Sequence, residues 1–185
     1  RALVAAKDDL VGTLRQKKYI DLLPEYNGVA YLEGAARLNG QGILVDGVTI
    51  AADKIIVVTG SAPGLPDIPG IADVPYLTST TALELTDQPA SLLVIGGGYI
   101  GCELAQMFAR AGTKITLITR SRLLPEAEPE ISEALTHYLA DDGISVLTGL
   151  SYRAIKAIEN GVELAIEREG RPDFLTAQHI LVATG

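Results

Sequence analysis

The sequence predicts an α/β fold built around a doubly wound parallel sheet, and three observations support this prediction. An apolar strand at 92–95 leads into the glycine pattern G-x-G-x-x-G and then into a helical pattern. A second apolar strand, 115–119, follows at the spacing that a parallel β-α-β unit requires. Segments 49–60 and 174–185 align without gaps, each reading as a short strand, a turn and a β-branched strand ending in Thr-Gly. This repeat predicts two related domains.

Composition and charge limit the possible partners. The chain has 185 residues, of which 48% are hydrophobic, and a net charge of −8 that opposes nonspecific binding to nucleic acid or anionic membrane. No apolar run approaches the ~18 residues of a membrane span. The single cysteine, Cys102, excludes an internal disulfide and a cysteine-based metal cluster. We therefore expect a cytoplasmic protein without nucleic-acid, membrane or metal sites.

The N-terminal segment is predicted to be a helix followed by a small antiparallel meander. Leu3, Ala6, Leu10 and Leu14 share one helical stripe, which begins directly after Arg1 without a capping residue. Segments 28–38 and 42–48 flank an Asn-Gly turn and are predicted to pair. The abrupt beginning, and a last strand that stops at the C-terminus, lead us to expect a piece of a longer protein.

A proline- and glycine-rich segment, 61–73, has the composition of a linker. Ser79 or Thr80 is then expected to cap a short helix that ends at Leu85.

The glycine pattern predicts a dinucleotide site in a Rossmann-like domain. Gly96 permits a tight turn, Gly98 lets the backbone approach a pyrophosphate, and Gly101 allows close packing of helix and strand. The helix start supplies free N–H donors and a partial positive charge. The alternatives are a glycine turn without a ligand, and a methyltransferase loop, which usually follows an acidic residue where this chain has Ile95.

The remaining elements complete this domain. A helix is expected from Pro129 to Gly143, with a buried stripe of Ile131, Leu135, Tyr138 and Leu139. Strands are expected near 145–147, 152–158, 162–168 and 179–184.

These residues resemble the pyridine-nucleotide disulfide oxidoreductases. The shared features are G-x-G-x-x-G-x-E at 96–103, Pro-x-Ile-Pro-Gly at 66–70, and the two strands that end in Thr-Gly. The resemblance covers nearly the whole chain and, over 74–83, 117–121 and 128–134, is greatest to the members that reduce Hg(II). It implies an enzyme in which hydride passes from NADPH through FAD to a cysteine pair.

The resemblance also implies a domain organisation. Residues 1–60 would be part of an FAD-binding domain, 61–85 a linker, and 86–185 an NADPH-binding domain cut at its last strand. The sequence has no first flavin glycine motif and no Cys-x-x-x-x-Cys pair. We therefore expect that this chain alone neither holds flavin stably nor reduces Hg(II), and that the whole protein is a homodimer.

The expected site residues follow from the same resemblance. Tyr99 and Glu103 would flank the nicotinamide, although from the residues alone Glu103 could merely favour the helix dipole and Tyr99 could be a packing residue. The residues expected to bind NADPH are Gly96, Gly98, Tyr99, Ile100, Gly101, Glu103, Thr119, Arg120, Arg122 and Gly185, and those expected near FAD are Thr59 and Gly60.

The end of the second strand predicts NADPH rather than NADH. Thr119 stands where an acidic residue would bind a ribose 2′-OH, and the guanidinium groups of Arg120 and Arg122 suit a 2′-phosphate. The alternative is that both arginines are merely solvated. Cys102 is expected to be buried and inert, and His137 and His179 to lie at the surface.

Two other functions stay open at this point. A dihydrolipoamide dehydrogenase or a glutathione reductase-like enzyme would share the motifs, but the former usually carries an acidic residue at the position of Thr119. A noncatalytic dinucleotide-sensing module is the second alternative.

Overall fold

A computed structural model describes residues 1–40 and 42–184. The chain divides into two compact units, of which the smaller spans Ala2–Ser61 and the larger begins at Ala62. In the described part, no helix has the length and apolar character needed to cross a membrane.

The smaller unit contains a helix and a three-stranded antiparallel sheet. Helix α1 (Ala2–Arg15) continues into a π-helical turn (Gln16–Ile20) and, after a break, a 3₁₀ turn (Leu23–Glu25). The sheet has the order β1-β2-β3, with β1 at Ala36–Leu38, β2 at Ile43–Val45 and β3 at Val48–Ile50. The predicted helix is present, but its stripe is not buried, since Leu3 is 83% exposed. The two predicted strands pair only over 36–38 and 43–45, because 28–35 form no strand and a turn at 46–47 leads into the separate strand β3.

The predicted β-branched strand at 55–58 is absent, which corrects the expectation from the internal repeat. Ile56 and Val58 are 83% and 87% exposed, and this segment has no regular secondary structure. A strand is maintained by ladder hydrogen bonds to a neighbouring strand. No strand of the described residues pairs with 55–58, so its β propensity has no sheet to join.

The larger unit is built on a five-stranded parallel sheet with the order β4-β11-β5-β6-β7. Its strands are β4 (Tyr76–Leu77), β5 (Ser91–Ile95), β6 (Lys114–Ile118), β7 (Ser145–Leu147) and β11 (His179–Val182). Ile95 pairs with both Val182 and Ile118, and Ile118 pairs with Leu147, so four strands end level at one edge. This level edge is where α/β sheets bind ligands.

Helices cover one face of the parallel sheet. They are the short α2 (Ser79–Ala82), α3 (Tyr99–Arg110) and α4 (Pro129–Asp141). Leu92, Val94 and Leu117 form one core with Phe108 of α3 and Leu139 of α4. This arrangement confirms the predicted Rossmann-like α/β class.

An antiparallel sheet, β10-β9-β8, covers the other face. Its strands are β8 (Leu150–Ile158), β9 (Gly161–Arg168) and β10 (Arg171–Ala177). Leu164 and Ile166 of β9 pack with Leu93, Ile95 and Ile118 in the second core. The sequence pattern placed these strands but did not indicate that a sheet replaces helices on this face.

Two local expectations are corrected. Thr78, rather than Ser79 or Thr80, caps α2: its Oγ1 accepts a 3.3 Å hydrogen bond from the N–H of Thr81, and the helix ends at Ala82. In α4, Leu139 is buried, but Ile131 and Tyr138 are 49% and 66% exposed. The buried face of α4 contains Ser132 and Leu139, which are seven residues apart. Ile131 and Tyr138 each precede one of these residues by one position and therefore face solvent.

Candidate functional site

A cleft of about 390 Å³ lies at the carboxyl edge of the parallel sheet. It brings together many of the predicted residues and several others; its lining consists of Gly96, Gly97, Gly98, Tyr99, Ile100, Thr119, Arg120, Ser121, Pro125, Tyr152, Ala183 and Thr184. A larger depression of about 540 Å³, lined by residues that include Ser91 and Gln178, lies where β5 and β11 begin. We assign the site to the smaller cleft because ligands of open α/β sheets bind beyond the carboxyl ends of the strands.

The first and third motif glycines are required by the fold itself. Gly96 has φ +122° and donates a 2.9 Å backbone hydrogen bond to the carbonyl of Ile118. A Cβ atom at Gly96 would overlap the carbonyl oxygen of Ala183, and one at Gly101 would overlap the carbonyl oxygen of Gly96. These two positions therefore allow the loop, the strand β11 and the helix α3 to approach one another closely.

Gly98 differs, because a Cβ atom added there would meet no atom within 4 Å. It occupies the N-cap position of α3, and no side chain caps that helix end. The first N–H groups of the 12-residue helix thus have no helical acceptor and lie beside the open cleft. This combination fits a bound phosphate, which needs both the free donors and the space in front of them.

Tyr99 and Glu103 lie one turn apart on the exposed side of α3. Tyr99 is 67% exposed and lines the cleft together with the half-exposed Ile100. Glu103 is exposed but does not line the cleft. Exposure of the Tyr99 ring argues against the alternative that it is a packing residue, because its large apolar surface is left uncovered.

Cys102 lies under the glycine loop and is 6% exposed, as predicted. Its Sγ donates a weak 3.7 Å hydrogen bond to the carbonyl of Gly97. Burial, and to a lesser extent the negative charge of Glu103, raises the pKa of this thiol to about 11. The thiol is therefore protonated at neutral pH and is a poor nucleophile or metal ligand.

The end of β6 carries no carboxylate. Thr119 is 8% exposed, and its backbone N–H donates a 3.0 Å hydrogen bond to the carbonyl of Leu147. Its side chain lies against the glycine loop, since a Cβ atom at Gly97 would be 3.0 Å from that of Thr119. Arg120 follows, exposed and on the wall of the cleft. The end of β6 therefore carries the positive charge of Arg120 and no negative charge.

The structure separates the two predicted arginines. Arg122 does not line the cleft, and its Nη2 donates hydrogen bonds to the carbonyls of Pro125 at 2.9 Å and Ala127 at 2.6 Å. The prediction that Arg122 contacts nucleotide directly stays untested. Its observed contacts fasten the loop between β6 and α4.

Several lining residues were missed by sequence reasoning. Ala183 and Thr184 follow β11 and could have been inferred from the level strand ends, whereas Tyr152 reaches the cleft from the antiparallel sheet, for which the sequence gives no local signal. The predicted ligand Gly185 lies outside the described residues. Sequence reasoning also passed over Ser121 and Pro125, which border the cleft beside Arg120.

The two residues predicted near FAD belong to the smaller unit. Both are exposed, and Gly60 has φ +71°. Thr59 borders an apolar depression of about 420 Å³ that 55–58 forms with β1 and Ile43. Within the described residues, no group of three or more His, Cys, Asp or Glu side chains is arranged to hold a metal ion.

The chain is similar over nearly its whole length to known proteins. The family model for pyridine nucleotide-disulphide oxidoreductases matches residues 3–185. The chain is 43% identical to a mercuric reductase of Staphylococcus aureus, over 99% of this chain and 34% of that protein. It is 42% identical to a mercuric reductase of Streptomyces lividans, over 100% of this chain and 40% of that protein.

The chain is also similar to solved structures. The HOCl-induced flavoprotein disulfide reductase RclA from Escherichia coli is 31% identical and superposes with a TM-score of 0.84, over 98% of this chain and 42% of that one. Its Cu(II) complex is 30% identical and has the same TM-score of 0.84. The chain therefore spans well under half the length of these relatives.

Proposed function

The chain belongs to the pyridine nucleotide-disulphide oxidoreductase family, and from this premise we propose that its larger unit is the NADPH-binding part of a flavoprotein. In this proposal, residues 1–60 belong to an FAD-binding domain, 61–85 form the linker, and 86–185 bind NADPH. The single observation that best supports it is the open position at Gly98, between the closed positions at Gly96 and Gly101.

Different residues in and beside the cleft bind different parts of the nucleotide. The first N–H groups of α3 bind the pyrophosphate, and Arg120 attracts the 2′-phosphate at the end of β6. Tyr99 and Glu103, on the exposed side of α3, flank the nicotinamide. The side chain of Thr119 lies against the glycine loop, and it carries no charge that would repel a phosphate.

We propose that the substrate of the whole protein is Hg(II), on the strength of 42–43% identity to two mercuric reductases. NADPH would supply two electrons, which would pass through FAD to a cysteine pair of the whole protein, so that NADPH and Hg(II) give NADP⁺, H⁺ and Hg(0). Cys102 is not proposed as part of that pair, because it is buried and its raised pKa keeps the thiol protonated at neutral pH. The whole protein would be a cytoplasmic homodimer.

A second candidate is reduction of a different substrate by a related flavoprotein. The likeness to RclA supports it, with a TM-score of 0.84 at 31% identity. NADPH oxidation by the complete protein, measured with Hg(II) and separately with disulfide substrates, distinguishes the two. Oxidation that depends on Hg(II) and releases Hg(0) supports the first candidate, and oxidation with disulfides alone supports the second.

The nucleotide proposal is tested on this chain by titrating it with NADPH and NADH while nicotinamide fluorescence is recorded. The absence of tryptophan from the sequence keeps the background low. We expect NADPH to bind at least about tenfold more tightly, equivalent to 1.4 kcal/mol. Equal binding, or preference for NADH, would contradict a 2′-phosphate site.

A further inference from the structure

Tyr152 enters the cleft from outside the parallel sheet. It lies on β8, and its pairing with β9 is interrupted by a register shift: Tyr152 pairs with Ile166 and Ala154 with Ala165, leaving Arg153 as an extra residue. Such bulges bend a strand and redirect its side chains, and they are frequent beside functional sites. The ring of Tyr152 packs on the second core, and the residue also lines the cleft.

Within residues 1–40 and 42–184, the Tyr152 hydroxyl has one weak hydrogen-bond partner. It lies 3.4 Å from the carbonyl oxygen of Ile118, whereas O–H···O hydrogen bonds usually measure about 2.7–2.8 Å. Burial raises the pKa of this phenol to about 12, although the positive charge of Arg120 opposes the increase. The group is therefore a protonated donor at neutral pH, and Tyr152 and Arg120 line the same cleft.

The position of this hydroxyl along the site is set by the topology. In a β-α-β dinucleotide fold, the ribose of the adenosine lies at the end of the strand that follows the glycine-rich helix. That strand is β6, which ends at Ile118. The Tyr152 hydroxyl thus lies at the adenosine end of the cleft, next to the first residues after β6.

We infer that Tyr152 is a binding residue for the adenosine 2′-phosphate and shares that phosphate with Arg120. This inference rests on the proposed binding of NADPH. Arg120 supplies charge, and the tyrosine O–H donates a hydrogen bond to a phosphate oxygen in place of its long contact with Ile118. Arg122 has no part in this inference, since it does not line the cleft and its Nη2 donates to two loop carbonyls.

The test is Tyr152→Phe, which keeps the ring and removes only the hydroxyl. Affinities for NADPH, NADH, 2′,5′-ADP and 5′-AMP are measured on the whole chain by calorimetry, with the nicotinamide cofactors also followed by fluorescence. We expect about tenfold or greater weakening for NADPH and 2′,5′-ADP, as for loss of a hydrogen bond to a charged group. Binding of NADH and 5′-AMP should stay within about twofold, because neither carries the 2′-phosphate.

Tyr138→Phe is the matched control, since Tyr138 is 66% exposed on α4 and does not line the cleft. A thermal unfolding curve for each variant verifies that the fold is retained. An unchanged NADPH affinity in Tyr152→Phe, or equal losses for NADPH and NADH, overturns the inference while the proposed function stands. A wild-type chain that does not prefer NADPH overturns both.

Discussion

The backbone N–H of Leu124 donates a 2.7 Å hydrogen bond to the carbonyl oxygen of Gly97. Leu124 has φ +43°, an uncommon conformation for a residue with a side chain. The loop that carries Arg120 is therefore tied to the glycine loop. The two loops on either side of the cleft are thus connected to each other, and Arg122 secures the loop after β6 through Pro125 and Ala127.

This connection gives the two arginines different expected effects. Arg120→Ala should weaken NADPH binding about tenfold or more and leave NADH nearly unchanged, because it removes a charge that faces only the 2′-phosphate. Arg122→Ala should weaken the binding of NADPH and NADH by similar factors, because it loosens a loop that borders the cleft in which both are proposed to bind.

Fluorescence titrations of the two variants with NADPH and NADH provide the measurement. Arg168→Ala, at the exposed end of β9 and outside the cleft, controls for the change in net charge. A loss confined to NADPH in Arg122→Ala would instead assign Arg122 to the phosphate, as the sequence predicts.

Substitutions at two motif glycines should affect different properties, nucleotide binding at Gly98 and stability at Gly101. Gly98→Ala places a methyl group in open space and should leave the unfolding midpoint almost unchanged while weakening both nucleotides, since the methyl occupies the phosphate approach. Gly101→Ala forces a Cβ against the carbonyl of Gly96 and should destabilise the fold by about 1–3 kcal/mol.

Urea unfolding and nucleotide titration of both variants measure these effects. If Gly98→Ala bound NADPH as tightly as the unchanged chain, the pyrophosphate could not lie against α3 as proposed. Equal stabilities of the two variants would show that the tight contact at Gly101 relaxes without cost.

The sequence predicts the site best where function is carried by backbone geometry. The tight turn at Gly96 and the helix start after Gly98 depend on adjacent residues, so their pattern is visible in a short window. Tyr152 was missed because its place in the cleft depends on a bulge and on packing of one sheet against another, neither of which has a local signature.

The predicted strand at 55–58 is absent because strand formation also depends on residues outside the segment. Its β-branched residues favour a strand, yet a strand requires a partner, and that condition is not a property of the segment itself. The similar pattern at 179–182 forms β11 because β4 and β5 flank it. The same residue types thus give a buried strand in one unit and an exposed segment in the other.

Cys102 should make the stability of the larger unit fall at alkaline pH. Its pKa rises from 9.0 to about 11 in the folded chain, so above pH 9 the unfolded state loses the thiol proton first. The unfolded state then binds fewer protons than the folded state, and the free energy of unfolding decreases as the pH rises from about 9 to about 11.

Urea unfolding of the unchanged chain and of Cys102→Ser at pH 8, 9, 10 and 11 tests this linkage. Serine has a similar size and does not titrate in this range, so the variant should lose less stability over these pH values, whatever its stability at pH 8. Tyr152 also contributes to the decline, because its pKa rises from 10.0 to about 12, and this contribution is common to both proteins.

Parallel curves for the two proteins would mean that the thiol is accessible to water and titrates normally. Rapid alkylation of the native thiol by iodoacetamide at pH 8 would lead independently to that conclusion, since a buried, protonated thiol reacts slowly.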